Sequence, residues 1–138
     1  IVSFGSLKNS INTLIAFDFG KRRIGVAIGN TLTYSARPLQ IIDARDRKKC
    51  FIIISKLIES WSPDYLVVGL PIYPDGTAHP FSKYCSRFAK KLSNKFGLRV
   101  VLEDERWTSA LAEIDGPDDA IAAAIILEGV LNASSYST

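Results

Sequence analysis

Cysteine and histidine are too scarce in this chain for thiol or imidazole chemistry. Cys50, Cys85 and His79 are the only three such residues among 138. Neither cysteine belongs to a CxxC pair, which excludes a zinc site and a disulfide framework. Both read as inert, partly buried thiols of a reducing cytoplasm. No apolar run reaches the roughly 20 residues of a membrane-spanning helix, and the first residues lack the marks of a signal peptide. No segment repeats and none is of low complexity. What remains, with 47% hydrophobic and 22% charged residues, is an ordinary globular composition. The length suits a single domain over 1–138 that can bury its own core, here about residues 14–131.

Charge of one sign is also missing, region by region. Residues 81–99 hold six cations (Lys83, Arg87, Lys90, Lys91, Lys95, Arg99) and no acid. Residues 103–138 hold eight acids and one cation, Arg106. Residues 1–49 hold nine cations against Asp18, Asp43 and Asp46. A net charge of +3 therefore conceals basic stretches and an acidic one, the pattern of a polyanion-binding surface around an acidic pocket. Charge alone equally fits solvated faces that average out.

Apolar runs at Leu14–Phe17 and Ile24–Gly29, joined by a turn at Gly20–Arg23, have hairpin spacing. Ser35–Ile42 reads as a third strand, placed at an edge by Pro38. Apolar residues at 51, 54, 57, 58 and 61 predict a helix over Lys48–Trp61. YLVVGL, Tyr65–Leu70, reads as a strand buried on both faces. A loop follows from Pro71 to Pro80. Phe81–Phe96 carries an apolar stripe and ends at Gly97, a helix with its C-cap. RVVL, Arg99–Leu102, reads as another buried strand. A short helix near Thr108 or Ser109 and a last helix from about Asp118 to Leu131, led by Pro117, complete the order β-β-β-α-β-α-β-α-α. This is an α/β protein with a mixed five-stranded sheet, an antiparallel meander plus parallel strands, and helices on both faces.

Three acidic spots fall at element ends: Asp18 after the first strand, Asp104 and Glu105 after the last, Asp118 and Asp119 at the last helix. Each has a plain reading as a turn residue, a surface ion pair or a first-turn acid. A carboxylate directly after a buried strand, however, stands where α/β sheets bind ligands. Converging carboxylates repel, and a hard divalent cation such as Mg2+ resolves the repulsion while bridging to phosphate. Such ions activate water and stabilise a leaving oxygen in phosphodiester cleavage. Lys21, Arg22, Arg23 and Arg106 are then candidate phosphate contacts, with Tyr73 and Trp107 as candidates for base stacking. Trp107 also fits core packing.

Taken together, AFDFGKRRIGVAIG at 16–29, ARPL at 36–39, VVGLPIYPDGT at 67–77, FSKYCSRFAKKL at 81–92, LEDERWTS at 102–109 and DAIAAAIIL at 119–127 give a specific signature. The chain resembles the YqgF family of pre-16S ribosomal RNA nucleases, also described as RuvC-like or Holliday-junction-resolvase-like. The resemblance implies a ribonuclease H-like fold and a cytoplasmic, Mg2+-dependent nuclease, with Mn2+ as a substitute ion, acting at the 5′ end of the small-subunit rRNA precursor. It implies Asp18, the DER acid (Glu105 or its neighbour Asp104) and Asp119 as catalytic residues, with Asp18, Glu105 and Asp119 as metal ligands. Related resolvases carry an acid on the strand that reads YLVVGL here, where this chain has Gly69. The chain also departs from the family in a short segment, Ala112 to Asp118, where members carry a longer basic loop. Pre-rRNA is the implied partner, with branched DNA and a pre-ribosomal particle as further candidates. Two alternatives stay open: a nucleic-acid-binding factor with little nuclease activity, and a Holliday junction resolvase, which predicts a symmetric dimer. The DFG at 18–20 does not make a kinase, because a glycine-rich loop and an HRD motif are lacking.

Overall fold

The computed structural model describes residues 11–73, 75–104 and 119–136, with side chains of the last segment to residue 132. The expected short helix near 108, the short 112–118 segment, Glu105, Arg106 and Trp107 lie outside the described residues. The elements are β1 (Thr13–Phe19), β2 (Arg23–Asn30), β3 (Ser35–Asp43), α1 (Arg47–Trp61), β4 (Tyr65–Leu70), α2 (Ser82–Phe96), β5 (Arg99–Asp104) and α3 (Asp119–Tyr136).

The five strands form one sheet in the order β3-β2-β1-β4-β5. The β1–β2 and β2–β3 pairs are antiparallel, and β1–β4 and β4–β5 are parallel. Pro38 lies on the edge strand β3, where its missing N–H costs no ladder bond, and the β2–β3 register shifts at Val26/Ala27 beside it. The other edge is β5, which corrects the expectation of a strand buried on both sides: Leu102 is 44% exposed.

The β1 strand alternates between two cores. Ile15 and Phe17 join Ile24, Val26, Leu66 and Val68 beneath α1 and α2, where Ile54, Phe88 and Leu92 complete the packing. The Phe17 and Phe88 rings meet edge to face at 5.8 Å, and Phe19 stacks on Phe88 at 4.4 Å. Leu14 and Ala16 face the other way, with Val67, onto Ile126, Leu127, Val130 and Leu131 of α3. At about 25 cal/mol per Å2 of apolar surface, each fully buried Leu, Ile or Phe contributes roughly 1.5–3 kcal/mol to holding these layers. The sheet is thus sandwiched, with α1 and α2 on one face and α3 on the other.

Local signals place the helix ends. Asp46 caps α1 by accepting from the Lys48 and Lys49 N–H groups at 3.1 and 3.2 Å. Gly97 ends α2 in the left-handed conformation, φ 66°, as its C-cap. The turn between β1 and β2 closes with a hydrogen bond from Gly20 N–H to the Arg23 carbonyl at 3.0 Å. A Cβ at Gly20 would lie 2.7 Å from that carbonyl oxygen, so the turn requires glycine for space.

Candidate active site

Asp18 lies inside β1 rather than after it, paired with Gly25 of β2. Strand alternation from Leu14 and Ala16 puts its side chain on the α3 face. Asp119, the first residue of α3, comes to the same place by backbone packing. A Cβ on Gly25 would lie 1.9 Å from the Asp119 carbonyl oxygen and 2.7 Å from the Ala120 nitrogen. Only glycine allows the start of the helix to rest on β2 there. Ala27, Ala123 and Ala124 continue the close contact along the helix.

Asp18 and Asp119 therefore meet beside the β1–β2 turn. Burial pushes the Asp18 carboxyl up to about 6, and the nearby charge of Asp119 acts in the same direction. Arg23, at the start of β2, offsets part of that charge, with its Nε 3.1 Å from Asp119 Oδ2. Lys21 and Arg22 are exposed on the turn between them. Arg22 and Arg23 line a cavity of about 510 Å3 with Ile41, Asp43 and Arg45. There Arg45 is engaged by Asp43, Nη2 to Oδ2 2.6 Å.

The β4–β5 register separates the acids after the last parallel strand. Val101 packs toward α3 and Val100 toward α1 and α2, so Glu103 shares the face of Asp18 and Asp104 points to the other. The structure does not bring Asp104 to Asp18. Glu103 pairs with Gly69, and its carboxylate faces α3 near Gly129, where a Cβ would be 3.7 Å from Oε1. Burial, then the charge of Asp104, raises the Glu103 carboxyl. Glu103 and Gly25 were not among the sequence-derived site residues. Alternation along β5 is the signal for the first; for the second, the signal is a glycine opposite an aspartate across a hairpin.

These donors fit a hard divalent cation. Two carboxylates, one half-buried and repelled by the other, are oxygen donors of the kind Mg2+ takes together with water and phosphate. Among the described residues no group of three or more potential ligands gathers; Asp18 and Asp119 are the two that come together.

In fold, the chain is similar to Thermus thermophilus RuvC bound to a Holliday junction substrate. The TM-score is 0.60 over 91% of this chain and 97% of that one, at 14% identity. The architecture is therefore the ribonuclease H-like one. The chain belongs to the RuvX family, described as Holliday junction resolvase, which it matches over residues 12–133. A Paraburkholderia phymatum protein named "Putative pre-16S rRNA nuclease" is 47% identical over 89% of this chain and 87% of its own length. A protein of the same name from Bordetella avium is 50% identical over 87% of this chain and 95% of its own.

Proposed function

We propose that this chain is a divalent-metal-dependent nuclease that hydrolyses phosphodiester bonds in RNA, processing the 5′ end of pre-16S rRNA in the cytoplasm, with residues 14–131 acting as one nuclease domain. One observation carries the reading: a half-buried aspartate on the central strand faces the first residue of a helix seated on glycine, beside three cations. The names of the curated relatives support pre-rRNA as the substrate.

In this reading Asp18 and Asp119 hold Mg2+, or Mn2+ in its place, by carboxylate oxygens. Glu105 is the third ligand, preferred to Asp104 because Asp104 points to the opposite face of the sheet. When bound, such an ion would supply charge neutralisation at the phosphate and a more acidic water. Arg23 restrains the Asp119 carboxylate. Lys21, Arg22 and Arg106 hold flanking phosphates, which positions the strand without reading its sequence. Hydrolysis adds a water oxygen to phosphorus as one ester P–O bond breaks, with the leaving oxygen taking up a proton. With a carboxyl near 6, Asp18 is mostly ionised at pH 7.5 and available as a ligand.

The test is cleavage of a labelled RNA spanning the 5′ junction of the precursor, with Mg2+, with Mn2+ and with chelator, beside Asp18→Asn and Asp119→Asn. Metal-dependent cutting lost in both variants is expected. RuvX is described as Holliday junction resolvase, so four-way-junction DNA is the second substrate. Cutting of the junction with intact RNA overturns the RNA reading. Binding without cutting of either substrate under any metal leaves a binding factor instead.

A further inference from the structure

On the face of the sheet away from Asp18, α1 and α2 frame a groove of about 750 Å3. Its cations come from both helices: Arg47, Lys48 and Lys56 from α1, Lys91 and Lys95 from α2, with Glu59 the only acid in the lining among the described residues. Among the described residues the ion pairs are Arg23–Asp119 and Arg45–Asp43, so none of these five cations is ion-paired with a described residue. Lys95 Nζ lies over the Phe51 ring, 5.2 Å from its centroid, which covers the groove's aromatic surface. A groove of lysines without a free ring is suited to phosphates rather than to stacked bases.

The groove is also connected to the carboxylate edge. Arg47 lines it and lines a second cavity of about 230 Å3 formed with Phe19, Gly20, Lys21, Phe81 and Tyr84. Gly20 and Lys21 belong to the turn that directly follows the strand bearing Asp18. Cations thus succeed one another from the turn beside Asp18, through Lys21 and Arg47, into the α1–α2 groove. We infer that this track holds the sugar–phosphate backbone of the substrate RNA on the side of the cut that runs away from the carboxylates. The inference rests on RNA being the substrate. It adds a second contact surface, on the opposite face, to the phosphate contacts of the β1–β2 turn.

The experiment measures binding of the labelled 5′-junction RNA, extended by a duplex on one side, across a salt series by fluorescence anisotropy. Wild type is compared with a groove variant (Lys48, Lys56, Lys91 and Lys95→Gln) and an equal-charge control off the groove (Lys49, Lys83, Lys90 and Arg99→Gln). All eight positions are exposed, and matching circular dichroism and melting curves check that both variants fold. For the groove variant the expected result is binding about ten- to a hundredfold weaker and a log–log salt slope shallower by about three, at roughly 0.7–0.9 per lost phosphate contact. The control should keep most of the wild-type slope. Equal loss in groove and control variants, or a groove variant that binds as wild type does, overturns the inference. So does a wild type that does not bind this RNA, or a groove-dependent slope seen with four-way-junction DNA and not with RNA. Wild-type cleavage is followed in parallel. RNA bound through the groove but never cut defeats the nuclease reading for that RNA and leaves the track standing.

Discussion

A carboxylate held at a buried strand end beside a second carboxylate destabilises the metal-free fold whenever it is ionised. Asp18 has an ordinary value of 3.8 and rises to about 6 in the folded chain, through burial first and Asp119 second. Between those values the folded chain binds more protons than the unfolded one. Its contribution to stability is therefore fully present below about pH 4 and lost as pH rises through about 6. Asp18→Asn removes the penalty. In chelator at pH 8 it should stabilise the protein by up to about 3 kcal/mol, with the gain vanishing near pH 4. Urea melts at both pH values measure this, and a destabilised Asn variant at pH 8 would refute the burial argument. Gly25→Ala acts in the opposite direction. The new Cβ would fall 1.9 Å from the Asp119 carbonyl oxygen, so β2 or α3 must move. A loss of at least about 1–3 kcal/mol is expected, with a larger proportional loss of cleavage because Asp119 moves with the helix. Wild-type stability and cutting in Gly25→Ala would disprove the contact.

At the scale of elements, α3 positions the site and α1 supports the opposite core. Ala123 is fully buried against Ala27 in the α3–β2 contact, while Ile54 is fully buried beneath α1. Ala123→Leu should cost about 1–3 kcal/mol by overpacking and reduce cleavage sharply, since it levers α3 from the sheet. Ile54→Ala should cost about 2–5 kcal/mol as a cavity yet keep its cutting rate at temperatures where it remains folded. Single-turnover rates on folded protein separate the two, and equal rate losses would show that α3 has no special hold on the site. The elements themselves are legible in the sequence because their signals are local: YLVVGL is a short apolar run closed by a break, and Phe81–Phe96 carries a helical stripe ended by glycine. The meeting of Asp18 and Asp119 is legible only as a possibility of the fold. It depends on which face of β1 each side chain takes, and LIAF is apolar on both faces and shows no alternation. It depends equally on Gly25, whose purpose is visible only once α3 lies across it. The edge position of β5 is hidden for the same reason: RVVL has the composition of a buried strand, and the order of strands decides that nothing among the described residues pairs beyond it.

For the molecule as a whole, the two faces of the sheet divide the work. The α3 face gathers carboxylates and the α1–α2 face gathers cations, so on the proposed function one surface would hold an ion and the other the polyanion that ion acts upon. That division couples metal binding to global stability in a measurable way. A ligand that binds only the folded chain raises its stability in proportion to RT ln(1 + [L]/Kd), and an ion held here as proposed would compete with protons for Asp18. Above pH 7 Asp18 is ionised and repelled by Asp119, whose charge Arg23 offsets only in part, so a Mg2+ ion held there as proposed would both find a ligand and remove the repulsion. At pH 5, below the value of about 6, the carboxyl is mostly protonated and the ion must displace a proton before it binds. The melting temperature should therefore rise with millimolar Mg2+ at pH 8 and much less at pH 5. In Asp18→Asn the rise should be lost at both, from a metal-free starting point already more stable than wild type. Differential scanning calorimetry with Mg2+ titrated against chelator gives all four values. A shift that is independent of pH, or one that survives in Asp18→Asn, would mean that the stabilising ion binds elsewhere on the molecule and that the Asp18–Asp119 pair does not hold it.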